Sequence, residues 1–170
     1  MMSFCISAFT QSTDAMMSAP SFQLPDLKGN TVSLEDFTGR FLVIHIATTW
    51  CPYCNAEAPY LQQLYDEYAP SKVGVLIIDV KEPRELVDSK LQRSFNLSFP
   101  VLLDLDGAVA ASFAPLDVLP ELARDEIMLA SNILIDPEGN IQYMSLLDTR
   151  NFDSKLIHIK EKLNELLESN

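Results

Sequence analysis

Two stretches of almost unbroken apolar character constrain the fold of this chain most. FLVIHIAT (41–48) and KVGVLIIDV (72–80) have the length of strands and are rich in β-branched residues. A strand with one wet face alternates apolar and polar residues. These two do not, so both should be covered on both faces. Between them, PYCNAEAPYLQQLYDEYA (52–69) places Leu61, Leu64 and Tyr68 on one side of a helix. Pro52 suits the first turn of that helix, and Pro59 inside it should produce a kink. Buried strand, helix and buried strand together make the unit of a parallel sheet.

The rest of the chain extends this pattern. EPRELVDSKLQRSFN (82–96) reads as a helix started by Pro83, FPVLLD (99–104) as a short strand and GAVAASFA (107–114) as a short helix. NILID (132–136) and IQYMSLL (141–147) form a hairpin around the turn PEGN, and DSKLIHIKEKLNELLES (153–169) is an amphipathic terminal helix. Near the start, SFQLPDLKGNTVSLEDF has the punctuation of a short β element, with a turn at KGN and a helical turn from Ser33. The expected class is α/β: a central mixed β-sheet flanked by helices, with an N-terminal β extension.

A chain of 170 residues suffices for one domain with a real core. The domain is expected over 19–170. Residues 1–18 read as a flexible leader or the remnant of an export signal. Their short apolar patch, Phe4 to Phe9, has no basic residue ahead of it, the first being Lys28. No apolar run reaches the roughly 18 residues that cross a bilayer, so no integral membrane segment is expected. The net charge of −12 repels polyanions and excludes nucleic acid as a natural partner.

Three cysteines are too few for a disulfide scaffold, but Cys51 and Cys54 stand close together, with Cys5 a distant bystander. The layout puts this pair at the carboxyl end of a central strand, where a helix begins and where open α/β sheets build their sites. Free backbone N–H groups and the positive end of the helix dipole should favour a thiolate on Cys51, by about one pKa unit. Cys54, one turn in, should be more buried and placed to attack a mixed disulfide on Cys51. Two other readings are weaker. A structural pair would be two small buried residues without chemistry. A zinc site would need further ligands, and only His45, His158 and Cys5 remain.

At this point the sequence resembles a known family. APSFQLPDLKGNTVSLEDFTGRFLVIHIATTWCPYCNAEAP, followed by FPVLLDLDGAVAASFA and NILIDPEGNI, is similar to the TlpA/ResA-like thiol–disulfide oxidoreductases. These are thioredoxin-fold members of the redoxin or AhpC/TSA superfamily. The likeness spans about residues 19 to 168. It implies a thioredoxin-like fold, with Cys51 the attacking and Cys54 the resolving cysteine. Trp50 matches the aromatic residue flanking the pair, and Glu57 an acidic residue that assists proton transfer. Helical spacing independently puts Glu57 on the face of Cys54; the plainer alternative is a solvated carboxylate. Pro52 and Tyr53 fill the CPYC motif, a dipeptide arrangement common in glutaredoxins, and Tyr53 reads equally well as a partner contact.

Two departures from the family stand out. Ala130 occupies the position of its cis-proline, where a cis bond would cost about 2.5–4 kcal/mol, so a trans bond is expected and substrate handling should differ. APLDVLPELARDEIML (114–129) is longer than the usual connection and is expected to hold an inserted helical segment. The resemblance implies protein disulfide or dithiol substrates, an upstream thioredoxin-like electron donor, a monomer, and a periplasmic or cell-envelope location. No cofactor or metal is implied beyond the redox pair itself. A thiol peroxidase is the rival enzyme. Thr48 suits it, but Ile44 stands where its motif has proline, and only Arg124 could supply its arginine. A non-catalytic binding module of the same fold is the third reading.

Overall fold

The computed structural model describes residues 17–117, 121, 131–146 and 152–169. Its strands are β1 (Gln23–Pro25), β2 (Thr31–Ser33), β3 (Phe41–Ala47), β4 (Val73–Val80), β5 (Val101–Asp104), β6 (Ser131–Ile135) and β7 (Ile141–Leu146). Its helices are α1 (Pro52–Glu67), α2 (Arg84–Val87), α3 (Ala108–Phe113) and α4 (Ile157–Ser169).

Every residue of β3 and β4 is buried, as their unbroken apolar runs require. Five strands form one mixed sheet in the order β5–β4–β3–β6–β7. β3, β4 and β5 run parallel, whereas β6 is antiparallel to β3 and β7 to β6. The carboxyl ends of the three parallel strands therefore share one edge.

Alternation along the strands divides the core. Val43, Val75 and Ile77 meet Leu61 and Leu64 of α1, Val87 and Leu91, and Ile159 and Leu163 of α4. Leu42, Ile44, Ile46, Leu76 and Ile78 meet Phe22 and Leu24 of the N-terminal extension, Phe37, and Ala110 and Phe113 of α3. At about 25 cal/mol per Å² of apolar surface removed from water, these two layers supply most of the folding drive.

The N-terminal β extension is the hairpin β1–β2, closed where Asp26 Oδ1 accepts the amides of Lys28 and Asn30, each at 2.8 Å. A 3-10 turn, Leu34–Phe37, follows Ser33, whose amide donates to Asp36. An antiparallel bridge from Asp26 to Leu102 ties the extension to β5.

Two expected helices are shorter than their periodicity. The helix expected over 82–96 is regular only as α2, because Arg93 N–H bonds back to Asp88 O, five residues away, in a π turn (Asp88–Gln92). The helix expected over 153–169 begins only at Ile157, because Leu156 takes φ 58° and its buried side chain anchors the turn before α4. α1, by contrast, runs unbroken through Pro59. The helical segment expected in 114–129 falls largely on residues 118–120 and 122–129, outside the described residues, as do Arg124 and Ala130.

Candidate active site

β3 ends at Ala47 and the chain turns through Thr48–Thr49–Trp50 into α1. Cys51 is the N-cap residue of α1 and Pro52 its first residue. The turn is held from three sides. Cys51 N–H donates to Thr48 O at 3.2 Å. The Asn55 amide donates to Thr49 O at 2.9 Å. Glu82, just past the end of β4, accepts from Thr49 N–H at 2.5 Å and from Thr49 Oγ1 at 2.7 Å.

Cys51 and Cys54 form a disulfide, with Cα atoms 5.3 Å apart. Cys54 N–H also donates to Cys51 Sγ at 3.2 Å, so the sulfur caps the helix where a hydroxyl or carboxylate oxygen usually does. Cys51 is 7% exposed and Cys54 1%, the ranking expected of an attacking and a resolving sulfur. Trp50, 69% exposed, stands out beside them. Pro52 is exposed as well, but Tyr53 is half-buried and meets the Phe152 ring edge-on at 4.9 Å. Tyr53 is thus at least partly a packing residue.

Glu57 is not a solvated helix carboxylate. One turn after Cys54, it points inward and is 5% exposed. Burial pushes its carboxyl up to about 7, against the lowering effect of a hydrogen bond from Asn132 and with a further push from the Asp153 charge. A carboxyl with this pKa can both hold and release a proton near neutral pH.

Sequence reasoning missed what surrounds Glu57. Asn132 of β6 donates from Nδ2 to Glu57 Oε1 at 2.8 Å, and its Oδ1 lies 2.8 Å from His45 Nδ1 on β3. His45 is therefore a buried member of this cluster rather than a candidate zinc ligand. Burial pulls its imidazole down to about 4, so it is neutral at physiological pH. An acidic pair, Asp79 and Glu82, lies beside the Thr48–Cys51 turn. Asp79, paired in register with Ala47, is 1% exposed, and its carboxyl meets that of Glu82 rather than an N–H or hydroxyl donor. Burial and then the Glu82 charge push it up to about 8. The sequence does carry a signal for these groups: His45 and Asp79 are the polar interruptions of two otherwise apolar strands.

Comparison with known proteins decides the family. The AhpC/TSA family matches residues 16–144. The chain belongs to that family. Among its relatives, the thiol-disulfide oxidoreductase ResA of Geobacillus kaustophilus is 32% identical over 136 residues, covering 79% of this chain and 71% of the relative. ResA of Bacillus thuringiensis is 29% identical over 123 residues, covering 72% of this chain, and the match spans only 64% of that relative's length. The fold matches the thioredoxin domain of a thiol-disulfide oxidoreductase from Bacteroides vulgatus. That TM-score is 0.63 at 24% identity, covering 89% of this chain and 94% of the other. The family's thioredoxin-like architecture is thus present, with the cysteine pair at the carboxyl edge of its parallel strands.

Proposed function

We propose that the protein is a thiol–disulfide oxidoreductase that exchanges disulfides with protein partners through Cys51 and Cys54, as a reductant. The observation that carries this reading is the Cys51–Cys54 disulfide at the start of α1, with the Cys54 N–H on Cys51 Sγ. The names of the ResA relatives support it.

In the reduced protein, the helix N-terminus favours a Cys51 thiolate. That thiolate attacks one sulfur of a partner disulfide; a Cys51–partner bond forms and the partner's other sulfur leaves as a thiolate, which takes a proton. The Glu57 carboxylate then accepts the Cys54 proton, and Cys54 attacks Cys51 Sγ. The second partner sulfur leaves, the Cys51–Cys54 bond closes, and two electrons have passed to the partner. The pair is the only redox group this cycle uses; no cofactor or metal enters it.

The partners proposed are protein disulfides and an upstream thioredoxin-like donor, met in the periplasm or cell envelope by a monomer. No helix among the described residues is long and apolar enough to cross a membrane.

The test is reduction of a model protein disulfide by the reduced protein. Activity is expected in the wild type and none in Cys51→Ser, while Cys54→Ser should hold its partner as a mixed disulfide. Rapid peroxide consumption with little disulfide reduction would replace this reading with a thiol peroxidase. Absence of both activities would leave a binding module.

A further inference from the structure

The proton-handling group of the site is held by a second pair of residues. Glu57 has two inequivalent oxygens. Oε1 accepts from Asn132 Nδ2 at 2.8 Å. Oε2 takes no hydrogen bond from Asn132 and lies 3.5 Å from His45 Nδ1. Asn132 Oδ1 is 2.8 Å from the same imidazole nitrogen. An amide oxygen only accepts, so His45 Nδ1 must carry the proton and donate. That leaves His45 Nε2 as the unprotonated nitrogen, and it is buried without a hydrogen-bond partner.

The order of donors runs one way: His45 Nδ1–H to Asn132 Oδ1, and Asn132 Nδ2–H to Glu57 Oε1. His45 and Asn132 face each other in the antiparallel register of β3 and β6, so the sheet itself sets their spacing. His45 is 1% exposed and Asn132 6%, so water does not compete for these bonds.

We infer that His45, acting through Asn132, is a positioning residue for Glu57: it fixes the Asn132 amide so that Oε1 is always an acceptor and the exchangeable proton resides on Oε2. This deepens the disulfide-exchange reading and rests on it. Without the His45 donor, the Asn132 amide is free to rotate its oxygen towards Glu57. The carboxylate would then lose its hydrogen bond and face an acceptor instead, and its ionised form would be disfavoured. Other charged or titratable groups face Glu57 too. Asp153, ahead of α4, disfavours the carboxylate, and Tyr143 of β7 has its own hydroxyl raised mainly by burial, and also by the Asp153 and Glu57 charges. Neither supplies the ordered donor that Asn132 does.

The experiment is a pH titration of the Glu57 carboxyl by carbon-13 NMR, with disulfide reduction measured alongside. His45→Leu should raise the Glu57 midpoint by about half to one pH unit. His45→Asn, whose amide nitrogen falls near the place of Nδ1, should restore the wild-type midpoint. His45→Gln, which carries its amide one carbon farther, should behave like His45→Leu and serves where the leucine variant does not fold. In the wild type, nitrogen-15 spectra should show the Nδ1–H tautomer from pH 5 to 9. An unchanged midpoint in both His45→Leu and His45→Gln, an equal shift in His45→Asn, or a wild-type Nε2–H tautomer would each overturn the inference. A wild type that does not reduce disulfides would sink the exchange reading alone, because the Glu57 midpoints still decide the positioning role.

Discussion

Cys54 N–H is directed at Cys51 Sγ across 3.2 Å. That contact gives a reduced Cys51 a donor already in place, at the positive end of the α1 dipole. In Cys54→Ser, where Cys51 is the one thiol at the site, iodoacetamide should modify Cys51 at pH 7 roughly ten times as fast as an unfolded cysteine peptide. Peptide mapping after timed quenching measures this. A rate no faster than the peptide would remove the activated nucleophile from the mechanism.

Glu57 should leave its mark on both rate and stability. Its folded pKa, about 7, lies above the ordinary 4.5, chiefly because burial disfavours the charge. The folded state therefore keeps a proton that the unfolded state releases. Stability from this group is full below pH 4.5 and is lost as pH rises through 7. The resolving step needs the carboxylate, so its rate should climb through the same pH range. Glu57→Gln should slow resolution about 10- to 100-fold and abolish the climb. The same variant should gain stability relative to the wild type at pH 8 but not at pH 4. Stopped-flow exchange and thermal melts across pH measure the two. A wild-type pH profile in Glu57→Gln would end the proton-transfer role.

The parts of this site that the sequence shows, and those it hides, differ for a physical reason. Cys51, Cys54 and Glu57 lie within seven residues at the start of one helix, so local spacing alone brings them together. The sheet centre is equally legible, because burial on both faces leaves unbroken runs such as 41–48 and 72–80. Asn132 and Glu82 are brought to the site by strand register and a parallel crossover, which a single sequence does not encode locally. Asn132 stands 75 residues from Glu57, and Glu82 stands 33 from Thr49. The shortened helices were hidden for a different reason: Leu156 at positive φ and the π turn after Val87 are set by packing, not by propensity.

Asp79 should weaken the fold at neutral and alkaline pH. It is buried, and burial, the Glu82 charge and a carboxyl–carboxyl hydrogen bond with Glu82 raise it from 3.8 to about 8. Its stabilising contribution is complete below pH 3.8 and is lost as pH rises through 8. Asp79→Asn keeps the shape and removes the ionisation. It should gain about 1–2 kcal/mol at pH 8, or ~2–8 °C in Tm for a chain of this size, and the gain should shrink as pH falls towards 4. Melts of the two proteins at pH 4, 6 and 8 measure it. A pH-independent difference would mean that Asp79 does not titrate in this range.

Gly74 is where the N-terminal extension is fitted to the sheet. On β4, it has the Phe37 ring so close that an added Cβ would lie 2.5 Å from Cδ1 and 2.7 Å from Cε1. Such approaches are well inside van der Waals contact, and Phe37 is itself buried between the extension and the sheet. Arg40, whose guanidinium lies 4.9 Å above the same ring, leaves it little room to retreat on that side. Gly74→Ala should therefore cost about 1–3 kcal/mol through overpacking, despite adding apolar volume to a core. The strain enters on the sheet face away from α1, so the rate of disulfide exchange at 25 °C should stay within about twofold of wild type. Denaturant melts and exchange kinetics on the same variant separate the two effects. An undiminished melting midpoint would mean that the ring moves aside freely and that Phe37 does not lock the extension onto β4.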